Sequence, residues 1–147
     1  MSLRKIAWEK FLKLDVAGRS PYFTEDGRLF HVLTAQQFDR ATLDSLGALA
    51  TRIRFIAKGE KGSGFLSSLL SGKRAMLYFT QPSTRTFLSF CAACQIFGIR
   101  IGEVRDTSVS SEFKGESQED SVRTFSSYFD MIIMRTQVGG LAERMAW

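Results

Sequence analysis

Hydrophobic positions change their period several times along this chain, and each change marks an element. The run Ala75-Met76-Leu77-Tyr78-Phe79 is continuously apolar, with Gly72-Lys73-Arg74 before it and Gln81-Pro82 after it. That is the length and punctuation of a buried strand. From Phe87 the spacing turns helical: Leu88, Cys91, Ala92, Cys94 and Ile96 share one face until Gly98 supplies a stop. Residues 100–104 predict a second strand; then come a loop from Arg105 to Gly115, a helix through Val122, Phe125 and Tyr128, and a third strand over 131–134. Strand, helix, strand, helix, strand at these intervals implies right-handed parallel crossovers. The expected fold class is α/β, a three-layer parallel sheet with helices on both faces and ligands at the carboxyl ends of the strands.

The first part of the chain reads differently. Leu3, Ile6, Ala7, Phe11 and Leu14 form a stripe that predicts a short amphipathic helix over residues 3–14. Residues 18–27 read as a linker, with Pro21, Asp26 and Gly27 as turn residues. The expected organisation is an N-terminal extension over residues 1–28 and the α/β domain over 29–147. Within the domain a long helix starts at Asp39 or Arg40, carries Leu43, Leu46, Leu49, Ile53 and Ile56 on one side, and ends near Gly59. Gly62-Ser63-Gly64 reads as a flexible connection before a short helical turn through Phe65, Leu66, Leu69 and Leu70.

The chemistry concentrates in Ser83-Thr84-Arg85-Thr86, which falls between the first strand and the helix that follows it. A first helical turn has unpaired backbone N–H groups and the positive end of the helix dipole, so an anion is favoured there before any side chain is counted. Two hydroxyls and a guanidinium add donors, and the planar fork of Arg bonds two phosphate oxygens at once. A plain N-cap followed by a solvated Arg uses the same residue types, so spacing alone leaves both readings open.

Composition narrows the classes. At 147 residues, with 44% hydrophobic content and 13 Phe, the chain has ample material for one core. No apolar run approaches the roughly 18 residues that span a bilayer, and the N-terminus lacks the apolar centre of a secretion signal. A soluble cytoplasmic protein with no membrane partner is therefore expected. The net charge of +5 raises the question of nucleic acid, but residues 1–61 hold 11 Lys/Arg against 7 Asp/Glu and residues 62–147 hold 9 against 8, so there is no concentrated basic patch. Arg52, Arg54, Lys58 and Lys61 read as a solvated face near a helix end. Cys91 and Cys94 lie one turn apart; with a single His in the chain and no second Cys pair, they read as small buried residues, and no metal or cofactor is expected.

Three segments in order resemble the aspartate carbamoyltransferase family. Residues 79–90, Phe-Thr-Gln-Pro-Ser-Thr-Arg-Thr-Phe-Leu-Ser-Phe, resemble its carbamoyl phosphate signature. Residues 114–121, Lys-Gly-Glu-Ser-Gln-Glu-Asp-Ser, resemble a mobile loop that enters a neighbouring subunit's active site, and Met131-Ile132-Ile133-Met134-Arg135 is similar to a strand whose terminal Arg meets the substrate. His31-Val32-Leu33-Thr34 resembles the opening of the domain.

The resemblance implies the carbamoyl phosphate-binding half of an enzyme that moves a carbamoyl group to the amine of L-aspartate, a step of pyrimidine biosynthesis. It implies Ser83, Thr84, Arg85 and Thr86 on the phosphate, and Thr86 and Arg135 on the carbonyl oxygen. Lys114 is donated by an adjacent subunit, which implies a homotrimer or a larger assembly. A serine accompanies that lysine: Ser108 matches by its neighbours and Ser110 by its distance from Lys114, and both remain open. Catalysis in such an enzyme rests on Arg85, Thr86, Arg135 and Lys114 through orientation and charge stabilisation.

Two departures stand out. Gln81 occupies a position where the aspartate enzymes usually carry an acid that pairs with the partner domain. The family's His-Pro-Thr-Gln segment and its amino-acid-binding domain do not occur in the 147 residues, so a fragment or split product is expected, one that binds phosphate ligands weakly and turns over little. Lys114-Gly115-Glu116 favours aspartate over ornithine as acceptor. A catalytically silent assembly or regulatory subunit is the alternative reading.

Overall fold

The computed structural model describes residues 3–105 and 117–147. The chain divides into two compact units, one formed by Met1–Leu49 with Ala142–Trp147 and the other by Ala50–Leu141.

In the second unit, the three strands β3 (Arg74–Phe79), β4 (Arg100–Val104) and β5 (Met131–Arg135) form a parallel sheet in the order β4-β3-β5. The central strand is the uninterrupted apolar run, as its two-sided burial demands: Ala75, Leu77 and Tyr78 are fully buried, Met76 and Phe79 nearly so. Its register sets Tyr78 opposite Val104 on one side and opposite Met134 on the other. Alternation then sorts the side chains between two helices. Leu77 and Phe79 pack with Phe87, Cys91, Ile101 and Ile133 on the side of α5 (Thr84–Ile96). Tyr78 meets Phe125 of α6 (Gln118–Tyr128) at 5.5 Å between ring centres. Burying side chains of this size stabilises by roughly 1.5–3 kcal/mol each. The α/β class and the parallel sheet with flanking helices are those expected.

Two helices precede the sheet. α3 (Arg40–Ile56) starts and stops close to the expected points, but it holds no buried residue: Leu43, Leu46 and Leu49 stand about half exposed. Arg52, Arg54, Lys58 and Lys61 are exposed, in keeping with a solvated face. α4 (Glu60–Leu69) corrects the expectation of a flexible link, because the helix runs straight through Gly62-Ser63-Gly64. The physical reason is close approach: a Cβ at Gly62 would overlap the Ile56 carbonyl, and Leu66 one turn on is buried. Packing outweighs the low helix propensity of glycine here.

In the first unit, the expected single helix over residues 3–14 is broken into a 3-10 turn at Leu3–Lys5 and a short α1 (Trp8–Leu12). The expected linker over 18–27 is ordered structure: α2 (Val16–Arg19), a 3-10 turn at Ser20–Phe23, and a hairpin of β1 (Thr24–Glu25) with β2 (Arg28–Leu29). Asp26 and Gly27, both at positive φ (48° and 73°), make its two-residue turn. The cause is an aromatic cluster that local periodicity does not reveal. Phe11 and Phe23 are fully buried with their rings 5.9 Å apart, Trp8 stacks on Phe11, and Tyr22 meets it edge-on. Arg19 lies over the Phe11 ring, donates to the carbonyls of Leu12 and Leu14, and pairs with Glu143 at 3.1 Å. Trp147 closes the cluster against Trp8 and donates its indole N–H to the Ile6 carbonyl. Glu143 belongs to α7 (Leu141–Ala146).

Candidate functional site

β3 ends where the chain bends toward β5. The N–H groups of Thr80 and Gln81 both donate to the Arg135 carbonyl, at 3.0 and 3.3 Å, and Pro82 has no N–H with which to continue a ladder. Ser83 follows in an extended conformation as the N-cap of α5. Its hydroxyl does not cap the helix: it donates to Thr86 Oγ1 at 2.9 Å. The backbone N–H groups of Thr84, Arg85 and Thr86 therefore have no side-chain cap, and the first turn holds no acid to offset the dipole. A 13-residue helix that begins this way presents its positive end and three donors, unpartnered among the described residues, to whatever lies beyond the sheet edge.

Arg135 comes to the same edge from the other strand. It pairs with Phe79 in the sheet register, so its backbone stands beside the point where β3 turns away. Its side chain is half-buried, and its Nε is buried without an acceptor among the described residues. A buried donor left unpaired costs on the order of 1–3 kcal/mol, which an arriving oxygen acceptor would recover. Ser83 and Thr86 are half-buried, while Thr84 and Arg85 are exposed.

The structure thus gathers Ser83, Thr84, Arg85, Thr86 and Arg135 at the carboxyl edge of one sheet. Ser108, Ser110 and Lys114 lie outside the described residues. Arg105, which the sequence reading placed only in a loop, also reaches this edge: its guanidinium carbon stands 4.3 Å from the centre of the Phe87 ring. The signal that would have found it is an arginine directly after a strand that neighbours the central one.

The two cysteines fit their reading as small packing residues. Cys94 is buried, Cys91 is half-buried against the Leu77–Phe79–Phe87 cluster, and burial raises both thiol pKa values. Among the described residues, no three His, Cys, Asp or Glu side chains converge in a way that would hold a metal ion. A depression of about 270 Å³ lies elsewhere, in the first unit, lined by Ala17, Ser20, Thr24 and Gln37 among others. Its lining carries no charged side chain to attract an anion.

A family model described as aspartate/ornithine carbamoyltransferase, carbamoyl-P binding domain, matches residues 31–147. The aspartate carbamoyltransferase catalytic subunit of Methanosarcina acetivorans is 39% identical over 116 residues, covering 79% of this chain and 36% of the relative. The chloroplastic aspartate carbamoyltransferase of Oryza sativa subsp. japonica is 40% identical over 124 residues, covering 81% of this chain and 33% of the relative. Among solved structures, aspartate transcarbamoylase from Trypanosoma cruzi in complex with carbamoyl aspartate and phosphate matches with a TM-score of 0.68 at 33% identity, over 78% of this chain and 35% of that one. The chain spans about a third of the length of these relatives. A family match over residues 31–147, which include the central strand, the turn that opens α5 and the strand that ends at Arg135, leaves one assignment: the chain belongs to the aspartate/ornithine carbamoyltransferase family and carries its carbamoyl phosphate-binding domain.

Proposed function

We propose that this chain is the carbamoyl phosphate-binding portion of an aspartate carbamoyltransferase, with residues 29–147 as the binding domain and residues 1–28 as an extension to it. The observation that carries the reading is the uncapped first turn of α5 at the sheet edge where β5 ends in Arg135, whose buried Nε has no acceptor among the described residues. In the reaction, an amine attacks the carbonyl carbon of carbamoyl phosphate, a tetrahedral oxyanion forms, and inorganic phosphate leaves with the electrons of the broken C–O bond. Ser83, Thr84 and Arg85 hold the phosphate through the first-turn N–H groups, their hydroxyls and the guanidinium fork. Thr86 and Arg135 bond the carbonyl oxygen, where negative charge grows as the amine adds. The protein needs no covalent intermediate for this, since orientation and charge stabilisation lower the barrier.

The finer parts of the reading rest on the family. Lys114, with Ser108 or Ser110, enters the site from a neighbouring subunit of a trimer and neutralises phosphate charge. L-aspartate is the acceptor, held by a domain that the longer relatives possess. The setting is cytoplasmic pyrimidine biosynthesis.

Calorimetric titration of the chain with carbamoyl phosphate tests the proposal. Saturable heat is expected, with binding weakened at least tenfold in Arg85→Ala, because one charge-assisted bidentate contact is worth about 1.5–3 kcal/mol. Saturable binding that survives Arg85→Ala would place the anion elsewhere. The absence of heat from both proteins would favour a catalytically silent assembly subunit.

A further inference from the structure

We propose that Arg105 is a positioning residue of the anion site, which rests on the phosphate reading above: stacked on Phe87, it pins the first turn of α5 to the sheet edge and adds positive charge on the flank opposite Arg135.

The register places it. Tyr78 pairs with Val104, so the next residue of that strand's path, Arg105, leaves the sheet level with Phe79. On the other side of Phe79 stands Arg135. With neighbouring strands about 4.8 Å apart, the two arginines bracket the central strand with their backbones about 10 Å from each other. Alternation along β4 puts Arg105 on the same face as Ile101, the face covered by α5.

There it completes a stack. Phe87, the residue after Thr86, is buried and meets Phe79 edge-on at 5.4 Å; the Arg105 guanidinium covers the Phe87 ring at 4.3 Å. The order Phe79, Phe87, Arg105 ties the first turn of α5 to two adjacent strands at once. A guanidinium held over a ring by cation–π attraction makes no hydrogen bond to that ring's carbons, so its N–H donors stay available to an anion. Among the described residues, Arg105 forms no ion pair with a carboxylate.

The charge arrangement points to an anionic ligand. A helix N-terminus ordinarily favours acids, yet the first turn of α5 holds none and instead has Arg85 within it and Arg105 against it. Two cations at the positive end of a dipole oppose folding, and a polyanion such as a phosphate ester relieves all three.

The test follows the amide resonances of residues 84–87 in the 147-residue chain during titration with carbamoyl phosphate and, separately, inorganic phosphate. Arg105→Leu keeps apolar contact with Phe87 and removes the charge; Arg105→Lys keeps the charge. Arg105→Leu is expected to weaken carbamoyl phosphate binding about 5- to 20-fold and to speed hydrogen exchange, in the ligand-free protein, at the Phe87 N–H, which donates to the Ser83 carbonyl, with Arg105→Lys recovering most of both. Binding by Arg105→Leu equal to that of the unaltered chain overturns the proposal while leaving the phosphate reading intact. Equal losses in Leu and Lys variants, matched by a lower melting temperature, also overturn it, since packing alone would then account for the residue. If the unaltered chain shows no shift with either ligand, the phosphate reading fails, and the anion role of Arg105 with it.

Discussion

His31 illustrates how a single side chain acquires a property from its surroundings. Its ring stands edge-on to Phe30 at 4.7 Å, its backbone N–H donates to the Phe23 carbonyl, and its own carbonyl accepts from Gln37 Nε2 at 2.7 Å. Burial lowers the imidazole pKa below its ordinary 6.5, against a smaller opposing pull from Glu25. The sign follows from linkage. Because the folded value is the lower one, the unfolded chain binds the proton first, so stability falls as pH drops below about 6.5 and is unaffected above it. His31→Gln is expected to flatten that part of the curve, and urea midpoints at pH 7.5 and 5.5 for both proteins would show it; an unchanged difference between the two pH values would exclude His31 as the source. At this scale the turn that opens α5 was legible, because hydroxyls and an arginine at the start of a helix are a local pattern. The buried Nε of Arg135 was not, since burial is set by neighbours far away in sequence.

The elements show where a local pattern is overruled. Gly98 ends α5 at φ 72°, as its place after the helical run suggests, but it does more than stop a helix. A Cβ there would overlap the Ser67 carbonyl of α4, and the Phe97 carbonyl beside it accepts from the Leu70 N–H at 3.1 Å. The glycine therefore seats two helices against each other. Gly98→Ala is expected to cost about 2–4 kcal/mol, from the left-handed backbone and from the overlap together, and thermal unfolding would register a drop of about 5–12 °C. A loss of only a few tenths would mean that α4 shifts freely. The same packing explains why Gly62-Ser63-Gly64, which reads as a link, is helix: weak propensity was outweighed by the fit at Gly62 and the burial of Leu66.

At the scale of the whole molecule, the first unit depends on contacts that span nearly the full chain. Arg19 and Glu143 are 124 positions apart, each about one-fifth exposed, and Arg19 also serves the Leu12 and Leu14 carbonyls. Removing one partner of such a sheltered pair leaves the other charge poorly solvated, so Glu143→Gln is expected to destabilise by about 1–3 kcal/mol. A double-mutant cycle with Arg19→Met, read by urea denaturation, would yield a coupling energy of at least about 0.5 kcal/mol; additive losses would show that the two side chains act independently. The parallel α/β core and the succession of its strands and helices are legible in the local hydrophobic pattern, as is the hydroxyl-and-arginine turn that follows the central strand. All of these follow from runs and periods shorter than a dozen residues, and the family match over residues 31–147 agrees with them. That residues 18–27 are ordered around Phe11 and Phe23, that α3 keeps its leucines half exposed, and that Arg105 reaches Phe87 emerge from packing alone. Those facts depend on which surfaces meet across tens of residues, and periodicity along the chain carries no record of that.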